Sequence, residues 1–218
     1  MICLAVRRIT NLENKKVVLN LPNKLTLSRI IMIPVFVVFF YVQFTGHYFV
    51  ALAVFLIACL TDLLDGMIAR KYNLVTNLGK FLDPIADKVL VLTALVIFLT
   101  IPDVVIMNIG SIGLILIGCG VALIIAREII VSGFRMIAAS TGTVIAADVF
   151  GKYKTVFQDV AIVILLVGFG INELTDNHVG MIVTIMGYSC LAMAVLLTLI
   201  SGINYIVKNI NVLKDDSK

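Results

Sequence analysis

The sequence predicts an all-α, polytopic membrane protein with six transmembrane helices, and three observations lead there. Of its 218 residues, 61% are hydrophobic and 14% charged, with a mean hydropathy of +1.12, a balance typical of helices solvated by lipid. Apolar runs long enough to cross a bilayer stand at about residues 25–43, 47–70, 79–100, 108–139, 154–172 and 179–207. With the N-terminus in the cytosol, the outward turns near 44–46, 101–107 and 173–178 contain no Lys or Arg, so all 17 basic residues lie on or near the cytosolic side, as the positive-inside rule requires. The net charge of +4 then reflects topology and contact with anionic membrane lipids, and gives no case for nucleic acid.

Residues 1–24 mix Arg7, Arg8, Lys15 and Lys16 with Ile, Leu and Val, a composition open to two readings, an interfacial helix against headgroups or a cytosolic tail. A cleaved signal peptide is not expected, because the apolar run begins only at Leu25 and no small-x-small site closes it near Gln43. The membrane domain is expected over 25–207 and a short cytosolic tail over 208–218. In the first span Pro34 predicts a kink. At its cytosolic start Asn23, Thr26 and Arg29 stand three apart, either as a helix cap with an anchoring Arg or as contacts to a nucleotide or acceptor.

Breaks at Thr45-Gly46, Asn73 to Asn77, Pro102-Asp103, Thr141 to Gly151 and Asn172 to Asn177 supply the turns. On the fourth span Gly118, Ala122 and Ala126 form a four-residue stripe that predicts close helix packing. His47 and His178 fall at outward helix ends and read as interfacial anchors. Cys3, Cys59, Cys119 and Cys190 lack C-x-x-C spacing and read as free, buried thiols.

The costly feature is the pair of acidic runs that closes the second span and opens the third. Asp62, Asp65, Asp83 and Asp87 sit in strongly apolar surroundings, where each costs about 2.5 to 3.5 kcal/mol near a bilayer centre. Asp62 and Asp65 are three apart and Asp83 and Asp87 four apart, so each pair shares a helix face. Antiparallel neighbours bring all four to one depth in the cytosolic half. Their repulsion must be relieved by protons or by hard divalent cations, and a two-metal site for phosphoryl transfer is the more specific answer. Gly66, Ala69 and Gly79 leave bare backbone on which a bulky ligand can approach.

These positions, with Arg70, read D-x2-D-G-x2-A-R-x8-G-x3-D-x3-D from Asp62 to Asp87, a pattern that resembles that of the CDP-alcohol phosphotransferases without a departure. The resemblance implies an integral membrane enzyme, a homodimer, that uses two Mg2+ or Mn2+ ions to displace CMP from a CDP-linked lipid. It implies that Asp62, Asp65 and Asp83 are metal ligands. Asp87 is then the group that activates the acceptor hydroxyl, and as a fourth carboxylate it is also placed to touch one ion. Gly66, Ala69, Arg70 and Gly79, with Asn23 and Thr26, are the candidates for contact with the CDP-lipid. Arg70 is also placed to pair with a carboxylate, and the sequence does not choose.

A second constellation is cationic. Arg127 and Arg135 lie two turns apart in A-R-E-I-I-V-S-G-F-R, and Lys152 and Lys154 open the fifth span in G-K-Y-K-T-V-F-Q. Each singly reads as a headgroup anchor, but together they form a pocket for an acceptor that carries a phosphate, since Arg offers a fork matched to phosphate and Lys a mobile charge. These motifs and L-P-N-K-L-T-L-S-R at 21–29 resemble the phosphatidylglycerophosphate synthase branch of the same family, which implies CDP-diacylglycerol and sn-glycerol 3-phosphate as substrates and the bacterial cytoplasmic membrane as location, with the site facing the cytosol. Inositol phosphate is the alternative acceptor. An ion-coupled transporter is the rival from another class, disfavoured because no second acidic cluster serves the outer half.

Overall fold

The computed structural model describes the backbone of residues 21–72, 77–140, 149–175 and 178–209. Within these, side chains are described except at 21–26, 62–85, 87, 103, 104, 106, 108, 136–140, 149, 150 and 209. The described chain is helical, in six elements: α1 (Leu21–Tyr41), α2 (His47–Tyr72), α3 (Asn77–Phe98), α4 (Pro102–Ser140), α5 (Val149–Leu174) and α6 (His178–Asn209). The six expected runs are thus six helices; the expected break at Thr45-Gly46 falls between α1 and α2, Pro102-Asp103 instead opens α4, and the breaks expected over 73–76, 141–148 and 176–177 lie outside the described residues.

Several boundaries move for local reasons. The α1 helix begins by Leu21, so Asn23 stands within its first turn rather than ahead of it as a cap, and the helix continues through Pro34. The α4 helix starts at Pro102 instead of near 108, with Pro in the first-turn position that tolerates its missing N–H. Gly110 then breaks that early start: its φ of 75° and ψ of 173° interrupt the helical dihedrals, a backbone conformation that glycine adopts without a Cβ penalty.

By their described residues, three helices are long and apolar enough to cross a membrane, over Ile109–Arg135, Gly151–Leu174 and His178–Lys208, while the described apolar stretches of the other three, Leu27–Tyr41, His47–Thr61 and Lys88–Phe98, are shorter. The outer surface is apolar around the bundle: Ile31, Val38, Ile112, Leu116, Ile129, Met186, Leu196 and Ile203 are all more than half exposed. Water does not stabilise such a surface and hydrocarbon does, as a bundle of helices allows.

The most intimate helix pair is α5 with α6, followed by α1 with α2; α4 packs on α6, and α1 also touches α3. Glycines permit the α5–α6 approach. A Cβ at Gly168 would lie 2.9 Å from the backbone N of Thr184, and one at Gly187 3.1 Å from that of Leu165. The stripe Gly118, Ala122 and Ala126 does not serve this purpose. Ala122 and Ala126 are exposed and a Cβ at Gly118 meets nothing; the contact of α4 with α6 comes instead through Gly120 against Val195.

Two polar links bring the three turns expected to face outward to one end of the bundle, called the outer end after that expectation. Tyr41 and Thr100 share a hydroxyl–hydroxyl hydrogen bond of 2.5 Å, and the Gly46 N–H donates to Glu173 Oε1 at 2.8 Å. Glu173 Oε2 also lies 3.9 Å from Nε2 of His47, which is buried rather than at an interface. Among the described cysteines none is in a disulfide; Cys59 and Cys190 are half-buried, Cys119 is exposed on the bundle's outer surface rather than buried as expected, and Cys3 lies outside the described residues. Beneath this end lies an aromatic core: Phe40 of α1, Phe98 of α3 and Phe169 of α5 stack in sequence, with ring centroids 5.8 and 5.5 Å apart. Tyr48 of α2 adds a contact of 5.6 Å to Phe169.

Candidate active site

The opposite end of the bundle is built differently. Asp62 and Asp65 lie ten and seven residues before the end of α2, and Asp83 and Asp87 lie six and ten residues after the start of α3. Each helix extends two residues beyond its expected end, so by count along their own helices the four aspartates stand roughly 9 to 15 Å from those ends at 1.5 Å per residue. The side chains of the four aspartates, and of Asn23, Thr26, Gly66, Ala69, Arg70 and Gly79, lie outside the described set. Among the described residues no group of three or more His, Cys, Asp or Glu side chains gathers as a metal site. As a donor set, four carboxylates are hard oxygen ligands and fit Mg2+ or Mn2+ in preference to softer metals.

One residue beyond Asp87 in sequence, Lys88 belongs to a charged cluster. Lys88 on α3 donates to Ser132 Oγ on α4 at 2.5 Å, and its Nζ lies 3.3 Å from Oε2 of Glu128. The other carboxylate oxygen, Oε1, accepts from Arg127 Nη1 at 3.2 Å and from Lys154 Nζ on α5. Arg127 also reaches α6, where Nη2 donates to Ser201 Oγ at 3.2 Å. Four helices therefore meet on one carboxylate and its cations. Only 3% of the Lys154 side chain and 11% of the Glu128 side chain are exposed, so this is an interior network and not a surface ion pair.

Small residues make the room. A Cβ on Gly151 would stand 3.3 Å from Arg127 Nη2, and one on Gly202 3.2 Å from Arg127 Cγ. Lys154 is drawn inward by its helix face, since Gln158, Ala161, Ile162 and Leu165, which follow at helical spacing, are buried as well.

The four predicted acceptor cations thus divide. Arg127 and Lys154 are brought together on Glu128. Arg135 and Lys152 are exposed; the Arg135 guanidinium carbon sits 5.9 Å from the centroid of the Tyr205 ring, and Tyr205 is itself edge-on to Phe134. Sequence reasoning missed Lys88, Glu128, Ser132 and Ser201. Glu128 had a signal, an acid inside an apolar span between two arginines, and Lys88 had one in its place directly after Asp87. Neither serine had any.

Next to the cluster, a cavity of about 340 Å³ opens between α3 and α4, lined by Val89, Leu92, Thr93, Val96, Ile97 and Ile125. Its walls are almost wholly apolar, and it follows α3 away from Lys88 towards the outer end.

Comparison with known proteins identifies the family. The family model for CDP-alcohol phosphatidyltransferases matches residues 19–200. This chain belongs to that family. A curated relative from Bacillus subtilis (strain 168), named CDP-diacylglycerol--glycerol-3-phosphate 3-phosphatidyltransferase, is 38% identical over 209 residues, covering 89% of this chain and 97% of its own. A relative of the same name from Rickettsia bellii is 40% identical over 187 residues, 85% of this chain and 93% of its own. A third, from Salmonella paratyphi A, is 40% identical over 157 residues, 67% and 76% of the two chains. The family match spans all four aspartates and the whole charged cluster except Ser201.

Proposed function

We propose that this chain transfers the phosphatidyl group of CDP-diacylglycerol to sn-glycerol 3-phosphate, giving phosphatidylglycerol phosphate and CMP. The observation that carries the choice of acceptor is the convergence of Lys88, Arg127 and Lys154 immediately beyond Asp87. Cations gathered there suit a small acceptor that itself bears a phosphate, and the names of the relatives agree.

In this reading the oxygen of the acceptor hydroxyl bonds to the phosphatidyl phosphorus as that phosphorus loses its bond to the CMP oxygen. The Asp87 carboxylate takes the hydroxyl proton and passes it to water. Asp62, Asp65 and Asp83 would hold two Mg2+ or Mn2+ ions, with Asp87 as a further carboxylate able to touch one of them. When bound, these ions neutralise the diphosphate and the charge that develops on departing CMP. Gly66, Ala69 and Gly79 leave space for the nucleotide end of the lipid, and Arg70, Asn23 and Thr26 are its candidate polar contacts. The apolar cavity between α3 and α4 suits an acyl chain lying along α3. Arg135 and Lys152, exposed at the same end, complete the cationic surface that draws the acceptor in. The basic residues put this end in the cytosol, in a homodimer spanning the bacterial cytoplasmic membrane six times per subunit.

The test is direct. Purified protein with Mg2+ and CDP-diacylglycerol should release CMP with glycerol 3-phosphate, far less with glycerol, serine or inositol phosphate, and not at all with excess chelator. Equal release with glycerol would remove the phosphate-binding role of the cations, and a preference for inositol phosphate would change the acceptor.

A further inference from the structure

We infer that Glu128 is a positioning residue for the acceptor phosphate: it gathers Lys88, Arg127 and Lys154 from three helices and sets the residual charge that the phosphate neutralises. The inference rests on the proposed phosphoryl acceptor and adds to it a residue that never touches the reacting atoms.

Three facts support it. First, both oxygens of Glu128 are used, Oε2 facing Lys88 at 3.3 Å and Oε1 accepting from Arg127 at 3.2 Å and from Lys154. Cations that share one carboxylate this closely repel one another, and without it the flexible Lys side chains separate. Second, three cations on one carboxylate leave a formal charge of +2 in a largely buried place. Net charge is costly there unless an anion joins it, and a phosphate dianion supplies the matching charge. Third, the cations keep donors to spare. Lys88 donates to Ser132 and forms an ion pair with Glu128, and Arg127 spends one donor each on Glu128 and Ser201. Among the described residues Lys154 bonds only to Glu128. A lysine has three donors and an arginine five, so each of the three can hold Glu128 and a phosphate oxygen together.

Lys88 gives the arrangement its reach. It follows Asp87 in sequence and is tied to α4 twice, through Glu128 and Ser132. The carboxylate therefore fixes where the phosphate binds relative to the helix that carries the proposed base, and preorganisation of that kind appears in the acceptor's KM more than in the binding of the lipid.

The experiment measures CMP release by the full-length protein in detergent or lipid discs, varying acceptor and CDP-diacylglycerol separately. Glu128→Gln should raise the KM for glycerol 3-phosphate at least tenfold and leave that for CDP-diacylglycerol within about twofold. Glu128→Asp should recover part of the loss. Ser132→Ala, which frees Lys88 on one side only, should raise the acceptor KM a few-fold, and it decides the matter should Glu128→Gln not fold. An unchanged or lowered acceptor KM overturns the inference. So does a parallel rise of both KM values with a fall in thermal midpoint, which marks a purely structural ion pair. Wild-type protein that prefers inositol phosphate would overturn the proposed acceptor alone, and the same KM comparison would then be made with inositol phosphate.

Discussion

The two ends of this bundle are held by different physics. At the outer end Phe36, Phe40, Phe55, Phe98 and Phe169 are almost fully buried and touch through ring faces and edges, a non-directional packing in which volume is what counts. At the inner end Lys88, Arg127, Glu128 and Lys154 meet through named donor and acceptor atoms, where one missing partner leaves a buried charge uncompensated. The outer end also keeps its few polar groups for joining turns, as in Tyr41 with Thr100. The inner end spends them on the interior. The contrast implies that stability and catalysis are separable along the helix axis, and substitutions at the two ends should affect different measurements.

The largest effect belongs to the proposed base. Asp87→Asn should lower kcat by about 100- to 10,000-fold, the usual contribution of a general base, while CDP-diacylglycerol binding, measured by displacement of a labelled analogue, stays near wild type. A near-normal rate would show that the hydroxyl proton leaves by another route. A smaller effect is expected from the exposed cations. Arg135→Ala and Lys152→Ala should each raise the KM for glycerol 3-phosphate by about tenfold, the low end for loss of a charge-assisted contact. Variants that behave like wild type would make these two side chains headgroup anchors and confine the acceptor pocket to the buried cluster.

The smallest effect on catalysis lies at the outer end. Phe98→Leu removes ring contacts with Phe40 and Phe169 and should cost about 1 to 2 kcal/mol of stability, read as a lower thermal midpoint in detergent. Both KM values should be unchanged. A selective change in acceptor KM from this variant would mean that the two ends are mechanically coupled, and the contrast drawn between them would fail.

Much of the candidate site was legible because membrane helices make acids conspicuous. Asp62, Asp65, Asp83 and Asp87 stand out of apolar runs by their cost alone, and their spacing within α2 and α3 is local. Arg127 and Lys154 were legible as cations near helix ends, though the reason they matter together was not. Lys88 was passed over because its partner is distant in sequence: it is bonded to Ser132, 44 residues away. The packing stripe Gly118, Ala122 and Ala126 was misread for a related cause, since small-residue spacing does not say which face of a helix meets a neighbour.

The sequence by itself determined the six helices and the placing of acids and cations along them, because run length and the cost of a charge in lipid act over one helix or less. Only the tertiary structure decided which helices are neighbours, that α5 lies closest on α6, and that Lys88, Arg127 and Lys154 share Glu128. In a soluble protein an apolar stripe shows which side of a helix faces the core. Here lipid and interior are equally apolar, so the helices are hydrophobic all round and the inward face is chosen by close packing and by polar partners on other helices.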